Sequence, residues 1–100
     1  MMRPIVLARL DKTRPVLVLT RELVRPHLRR VTIAPITSTI RGLSTEVPVG
    51  PRNGLEMPSV VSCDNVTTIE VTDLGQEVGF LFPDQEHALA EALRVAFELE

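Results

Sequence analysis

The sequence predicts a small, mainly β domain that is closed by one C-terminal helix, with its strands arranged as a small barrel. Short apolar runs punctuated by proline and glycine extend over residues 4–82, and an apolar stripe with helical spacing occupies residues 84–98. A barrel is favoured because closing the sheet removes exposed strand edges. The 100 residues leave room for one domain, so residues 1–100 are treated as a single unit.

Strands are predicted wherever a short apolar run is bounded by charged or turn-forming residues. The predicted strands are residues 5–10, 16–19, 31–39, 45–49, 59–62, 66–71 and 78–82. The second strand is valine-rich and too short for a helix, which indicates burial on both faces. Pro35 marks an edge or a bulge in the third strand. Pro26 interrupts a polar stretch at residues 21–27, which predicts a loop with one helical turn.

A turn and a helix complete the predicted chain. Residues 51–54, with the sequence PRNG, predict a turn in which asparagine and glycine suit a positive φ. The helical stripe consists of Ala88, Leu89, Ala92, Leu93, Ala96 and Phe97. Pro83 sets the start of the helix, Asp84 is expected to cap its first turn, and Glu86 favours the positive end of its dipole.

The composition favours a folded cytoplasmic domain without a membrane segment, a disulfide framework or a metal centre. The chain is 44% hydrophobic and 24% charged, and no window approaches 18 uninterrupted apolar residues. No secretory signal is recognisable at the N-terminus. The single cysteine, Cys63, is more consistent with inert burial than with a nucleophile. Because the two histidines, His27 and His87, are also far apart in the sequence, we expect no metal ligation and no cofactor.

The charge is divided unevenly between the two halves of the chain. Residues 1–52 carry ten basic and three acidic residues, whereas residues 53–100 carry one basic and ten acidic residues, and the whole chain has a net charge of −2. The basic half could present a local surface for phosphate groups. Folding could equally interleave the two halves and mix their charges.

Nucleotide-binding-loop, serine-hydrolase and zinc-protease motifs are absent from the sequence. The candidate functional residues are therefore the polar side chains at the ends of strands. Thr13 and Arg14 precede the second predicted strand, and Thr37, Ser38 and Thr39 end the third. An arginine fork matches a phosphate group, and hydroxyls can donate to the same oxygens. Threonines also suit strands, and arginines often only cover apolar surface, so the pattern alone leaves both interpretations open.

Five segments together resemble the MazF/PemK toxin endoribonucleases. They are residues 13–20 (TRPVLVLT), 31–39 (VTIAPITST), 43–49, 54–55 and 59–69 (SVVSCDNVTTI). The resemblance covers essentially the whole chain. It implies an SH3-like β barrel with added helices, a homodimer, and metal-independent, sequence-specific cleavage of single-stranded RNA. It also implies a cognate antitoxin whose acidic, flexible tail blocks the RNA groove.

The resemblance assigns Arg14 to the family's catalytic arginine in its R-P motif and Thr37 to its catalytic threonine in P-I-T. The implied reaction is attack of a ribose 2′-hydroxyl on the adjacent phosphorus, which leaves a 2′,3′-cyclic phosphate and a 5′-hydroxyl. The expected RNA-binding residues are Thr13, Ser38, Thr39, Arg21, Arg25, Arg29, Arg30, Ser59, Asp64 and Asn65.

Three departures from the family pattern bear on substrate choice and on closure of the groove, and two alternative functions stay open. Residues 1–5 replace an R-G-D/E-V strand, the first loop has shrunk to residues 11–13, and Thr67 stands where the family often has a basic residue. A toxin of the same fold that poisons gyrase by protein binding is one alternative, although the Trp-Gly pair of that group is absent. A catalytically weak copy that retains antitoxin binding is the other.

Overall fold

The computed structural model describes residues 2–100, in which seven strands and one α-helix form the domain. The strands are β1 (Pro4–Arg9), β2 (Thr13–Val18), β3 (Arg30–Thr37), β4 (Glu46–Val49), β5 (Ser59–Ser62), β6 (Thr67–Glu70) and β7 (Leu74–Phe80), and the helix is α1 (Pro83–Ala96). The predicted mainly β fold with a C-terminal helix is confirmed.

All strand pairs are antiparallel, and the sheet curls into a half-barrel because β3 is shared between neighbours. The order is β4-β5-β3-β2-β1-β7, with β6 also pairing with β3. Residues 30–33 of β3 pair with β6, and residues 36–37 pair with β5. Pro35, which has no N–H to donate, lies between these two pairings. It marks the change of partner within an interior strand, not an edge.

The curled sheet is buried on both faces. One core cluster, which includes Ile5, Leu17 and Val61, is covered by Leu89 and Ala92 of α1. The other cluster lies on the opposite face and includes Val16 and Val18, with partly buried side chains from β6 and β7 packed against it. The side chains of residues 16–18 are 1% exposed or less, which confirms the prediction of a strand buried on both faces.

Three local predictions were wrong. The second strand begins at Thr13, three residues before the expected start, because pairing with β1 extends it over Thr13 and Arg14. The last strand begins at Leu74, four residues before the expected start, because pairing with β1 recruits a polar stretch that alternation alone does not mark. Asp84 does not cap the helix, whose N-cap is Phe82. The buried amide of Gln85 performs that task, since its Oε1 accepts the Phe82 N–H at 3.0 Å, whereas Asp84 accepts a hydrogen bond from Arg52 at 2.6 Å.

Three further features agree with the sequence. The stretch at residues 21–27 contains one 3-10 turn, Arg25–His27. Gly54 has the expected positive φ, 90°, and a Cβ there would lie 1.9 Å from the Val78 carbonyl oxygen, whereas Asn53 lies in a 3-10 turn and has no positive φ. Cys63 is buried, and burial raises the pKa of its thiol to about 11, so it is an inert core residue. No helix within residues 2–100 is long and apolar enough to cross a membrane.

Candidate active site

The pairing of β2 with β3 brings Arg14 and Thr37 to the same end of the sheet. Val16 lies opposite Pro35 and Leu17 opposite Ala34. The recorded pairing ends at Val16 and Pro35, and the same antiparallel register continued by two residues leads to Arg14 on β2 and Thr37 on β3. Both side chains line the same two neighbouring cavities. Two residues that are far apart in the sequence therefore converge at one point.

The Arg14 guanidinium is held by the carboxylate of Asp11. Its Nε donates to Oδ1 at 3.1 Å and its Nη2 donates to Oδ2 at 2.9 Å, a two-pronged arrangement that fixes the plane of the group. Hydrogen bonding from Arg14 also lowers the pKa of Asp11 below its usual value of 3.8. A guanidinium has five N–H donors, so three remain after these two bonds. With its side chain 34% exposed, Arg14 can offer them to an incoming phosphate.

The Thr37 hydroxyl is oriented by the chain that follows it. Its Oγ1 accepts the backbone N–H of Thr39 at 3.1 Å. A threonine hydroxyl has one proton to donate and two lone pairs to accept. Accepting from Thr39 therefore leaves the proton of Thr37 available for a phosphate oxygen beside Arg14.

Two cavities adjoin this pair, with Arg14, Thr37 and Thr39 lining both. The first, here called the Asp64 cavity, has a volume of about 600 Å³ and is also lined by Arg41, Glu46, Ser62, Asp64 and Asn65. The second, the Met57 cavity, has a volume of about 620 Å³ and is also lined by Lys12, Thr13, Ser38, Leu55, Met57 and Ser59. Both volumes fall within the range of small-ligand sites. A chain of nucleotides crossing Arg14 and Thr37 would have a cavity on either side.

Six of the ten residues predicted to bind RNA line these cavities, but three of the six already have partners. Asp64 accepts a hydrogen bond from the Thr45 hydroxyl at 2.6 Å. Asn65 donates to the Ser62 hydroxyl at 2.7 Å. Ser59 is buried, and its hydroxyl donates to the Met57 carbonyl at 3.0 Å. Thr13, Ser38 and Thr39 are exposed.

The structure does not bring the four remaining arginines to this site. Arg21, Arg25, Arg29 and Arg30 lie in or next to the loop that leads into β3, and they line neither cavity. Arg30 and Thr37 are the two ends of β3, about 23 Å apart at the rise of an extended strand. Arg25 donates to the Thr20 carbonyl at 3.0 Å, and Arg30 forms an ion pair with Glu70 at 3.5 Å.

Sequence reasoning missed three residues of the site. Asp11 enters the sequence analysis only as part of the shortened first loop, residues 11–13, although its position three residues before Arg14 is compatible with an ion pair. Arg41 and Glu46 lie on the loop after the P-I-T motif and on the following strand. No local pattern signals their roles, because these depend on how that loop folds back. Within residues 2–100, no group of three His, Cys, Asp or Glu side chains could hold a metal ion.

The fold and the site together define a small antiparallel β-sheet protein that presents an arginine and a threonine where two cavities meet. Residues 4–97 match the family model described as PemK-like, MazF-like toxin of type II toxin-antitoxin system. The chain therefore belongs to the PemK/MazF family of toxins.

Relatives and solved structures agree with this family. The chain is 66% identical over 99 residues to the endoribonuclease MazF3 of Mycobacterium tuberculosis, covering 99% of this chain and 96% of that protein. It is similar to the solved M. tuberculosis toxin MazF-mt6, with a TM-score of 0.96 and 65% identity over 98% of this chain and 99% of that one. A mycobacterial endoribonuclease solved in complex with its cognate antitoxin aligns with a TM-score of 0.87 and 26% identity, covering 97% and 93% of the two chains.

Proposed function

We propose that this toxin endoribonuclease cleaves single-stranded RNA by attack of a ribose 2′-hydroxyl on the adjacent phosphorus. The observation that carries the proposal is the convergence of the Arg14 fork and the Thr37 hydroxyl between two cavities. In the reaction, the 2′-oxygen gives its proton to solvent water as it bonds to phosphorus, and the bond from phosphorus to the 5′-oxygen of the next nucleotide breaks as that oxygen takes a proton from water. The products are a 2′,3′-cyclic phosphate and a 5′-hydroxyl.

Arg14 and Thr37 have different roles in this scheme. The three free N–H donors of Arg14 stabilise the additional negative charge on the pentacovalent phosphorus. The Thr37 proton binds one non-bridging oxygen, which helps to align the 2′-oxygen with the leaving 5′-oxygen. Arg14 remains charged throughout because a guanidinium does not give up its proton in proteins. Asp11 keeps the guanidinium in one plane, since both of its oxygens accept from it.

The two cavities support a single-stranded ribonucleotide substrate. Bases on either side of the scissile phosphate would enter the Asp64 and Met57 cavities, and paired bases cannot be splayed apart in this way. DNA binds but is not cut, because it lacks the attacking hydroxyl. The polar residues of the Asp64 cavity supply hydrogen-bonding groups that can distinguish base edges, which supports sequence-specific cleavage. The reaction uses no metal ion, since the 2′-hydroxyl is within the substrate and the charge is stabilised by Arg14.

The partners of the toxin follow from the same surface. A cognate antitoxin with an acidic, flexible tail would neutralise the toxin by placing carboxylates where RNA phosphates bind, next to Arg14, Lys12 and Arg41. The toxin would act as a homodimer in the cytoplasm, where cutting RNA stops translation and growth. Exposed Val95, Phe97 and Leu99 at the end of α1 provide apolar surface that a second copy could cover.

The direct experiment is to map the ends that the purified protein produces from total RNA. We expect 5′-hydroxyl ends at a shared short sequence, cyclic phosphates on the upstream fragments, and undiminished cleavage in EDTA. An oligonucleotide with a 2′-deoxy substitution before the cut should resist cleavage entirely. Ends that carry 5′-phosphates, or activity that EDTA abolishes, would contradict the proposed reaction.

A further inference from the structure

The loop between β3 and β4 forms one wall of the Asp64 cavity. This loop, residues 38–45, has no helix or strand, and it places Arg41 and Leu43 on the cavity surface. Arg41 is exposed, and no hydrogen bond or ion pair of its guanidinium occurs within residues 2–100. The loop therefore presents an uncommitted positive charge beside the phosphate-binding pair, Arg14 and Thr37.

The carboxylate of Glu46 fastens this loop from the start of β4. Its Oε1 accepts the backbone N–H of Leu43 at 3.0 Å and that of Arg41 at 3.2 Å, and its Oε2 lies 3.4 Å from the Arg41 nitrogen. The backbone N–H of Glu46 donates in return to the Leu43 carbonyl at 3.0 Å. Between the two bonded amides lies Gly42, with a φ of 76°, which lets the chain turn back on itself.

A second fastening holds the other side of the same loop. The Thr45 hydroxyl donates to Asp64 at 2.6 Å, and the Thr45 carbonyl accepts the Cys63 N–H at 3.0 Å. Thr45 is 9% exposed, so this anchor is buried. The end of the loop near Thr45 is thus fixed by the core, whereas the part that carries Arg41 is fixed by Glu46.

The chemistry of the cavity argues that Glu46 acts on the loop and not on the substrate. A carboxylate repels RNA phosphates, so an unpaired Glu46 in an RNA-binding cavity would weaken binding. Here its oxygens accept from two backbone amides, whose N–H dipoles partly offset its negative charge. An exposed loop that is ordered before binding spares the complex the entropy cost of ordering it.

We propose that Arg41 binds the RNA phosphate next to the scissile one, and that Glu46 is a positioning residue that holds Arg41 for this contact. The inference rests on the proposed function, because it assigns the contact of the phosphate that belongs to the nucleotide whose base enters the Asp64 cavity. Arg41 then contributes to RNA affinity, while Arg14 and Thr37 carry the chemical step.

The test compares RNA cleavage by Arg41→Ala, Glu46→Ala and Glu46→Gln with the unchanged protein. Arg41→Ala should raise KM by about three- to tenfold with little change in kcat, because one ordered phosphate contact is lost. Arg41→Ala should also reduce the slope of log binding constant against log salt concentration by the equivalent of about one phosphate contact. Binding is measured with a 2′-deoxy-substituted oligonucleotide that cannot be cleaved. Glu46→Ala should raise KM to a similar degree. Glu46→Gln should stay close to the unchanged protein, because its amide oxygen can still accept from Leu43 and Arg41.

The double variant separates positioning from a general structural role. Glu46→Ala should add little to the KM of Arg41→Ala, since residues that act through one contact are not additive. Glu77→Ala is the matched control, because Glu77 is an exposed carboxylate on β7 that lines neither cavity, and its KM should not change. Hydrogen exchange at the Leu43 amide should accelerate in Glu46→Ala and not in Arg41→Ala.

Three results would overturn the inference. The first is an unchanged KM and salt dependence in Arg41→Ala, a surface substitution that leaves the core intact. The second is a full additive loss in the double variant. The third is a fall in kcat and in melting temperature in Glu46→Ala that Glu46→Gln does not restore. If the unchanged protein does not cut RNA at all, the proposed function fails instead, and binding of the non-cleavable oligonucleotide still tests the role of Arg41.

Discussion

The two ends of β3 carry similar chemistry in the sequence and different surroundings in the structure. At one end, Thr37 lies beside Arg14 and two cavities meet. At the other, Arg30 ends a ten-residue stretch, residues 21–30, that contains four arginines and one glutamate and lines neither of these cavities. The two ends therefore differ in their surroundings and not in arginine number. The Thr37 end places a second polar side chain beside an arginine on a concave surface.

The partners of the arginines sharpen this contrast. Arg14 is gripped in one plane by Asp11 and keeps three donors free. Arg25 is turned towards the backbone of its own loop, and Arg30 faces Glu70. An exposed ion pair such as the one between Arg30 and Glu70 contributes little to stability. The arginines of residues 21–30 therefore suit diffuse attraction of a polyanion, whereas Arg14 suits a fixed phosphate.

The largest expected effect comes from Arg14→Ala. We expect kcat for RNA cleavage to fall by at least about 10²–10³-fold, the loss typical of removing a charge-stabilising donor. The melting temperature should hardly change, because the one ion pair of Arg14 within residues 2–100 is the solvent-exposed contact with Asp11. Arg30→Ala, at the other end of β3, is the matched control and should retain kcat. Similar losses in both variants would contradict the difference between the two ends.

Thr37→Ala should have the second largest effect. Loss of one hydrogen bond to a charged oxygen corresponds to a fall in kcat of about ten- to a hundredfold. Thr32→Ala offers a control on the same strand, because the Thr32 hydroxyl lies beside Thr68 at 3.2 Å, remote from both cavities. Comparing single-turnover rates would decide, and an unaltered rate in Thr37→Ala would exclude its hydroxyl from the chemical step.

Replacing Arg21 and Arg29 together by alanine should have a smaller effect of a different kind. If these residues attract RNA, the paired substitution should weaken binding to all sequences equally and lower the salt slope by up to about two phosphate contacts. The rate of the bound substrate and the position of the cut should be unchanged. A shift in the cleavage sequence would show that this segment reads bases.

The smallest effect is expected from pH. The Arg14 hydrogen bonds lower the pKa of Asp11 from 3.8, so Asp11 favours the folded ion pair above that pH. This contribution is lost only as the pH falls through the lowered value. The pH profile of kcat should therefore show no inflection due to Asp11 at any pH above 3.8. An inflection near neutrality that disappears in Asp11→Asn would refute this assignment.

The regular elements were largely predictable because their patterns are local. Burial of a strand requires the apolar run at residues 16–19, and burial of one helix face requires the paired apolar residues of α1. The start of β7 could not be predicted, because residues 75–77 carry no strand pattern and join the sheet only through pairing with β1. The cap of α1 could not be predicted, because Gln85 is oriented by hydrogen bonds with Asn53, a residue far away in the sequence.

The site was predictable only in part, for the same reason. Arg14 and Thr37 are predicted from strand-end polarity together with the family resemblance, and the structure places both in the lining of the same two cavities. The number of arginines in residues 21–30 can be read from the sequence, but their position relative to the two cavities cannot. The tasks of Asp11 and Glu46 arise from loop geometry, which no spacing rule encodes.

The central claim is that the scissile phosphate lies between Arg14 and Thr37, and a structure with a bound RNA tests it most directly. The RNA should carry a 2′-deoxy substitution at the cleaved nucleotide, so that it binds and is not cut. We expect its phosphate within hydrogen-bonding distance of the Arg14 guanidinium and the Thr37 Oγ1, with the flanking nucleotides in the Asp64 and Met57 cavities. A scissile phosphate bound against residues 21–30, with Arg14 and Thr37 untouched, would contradict the account.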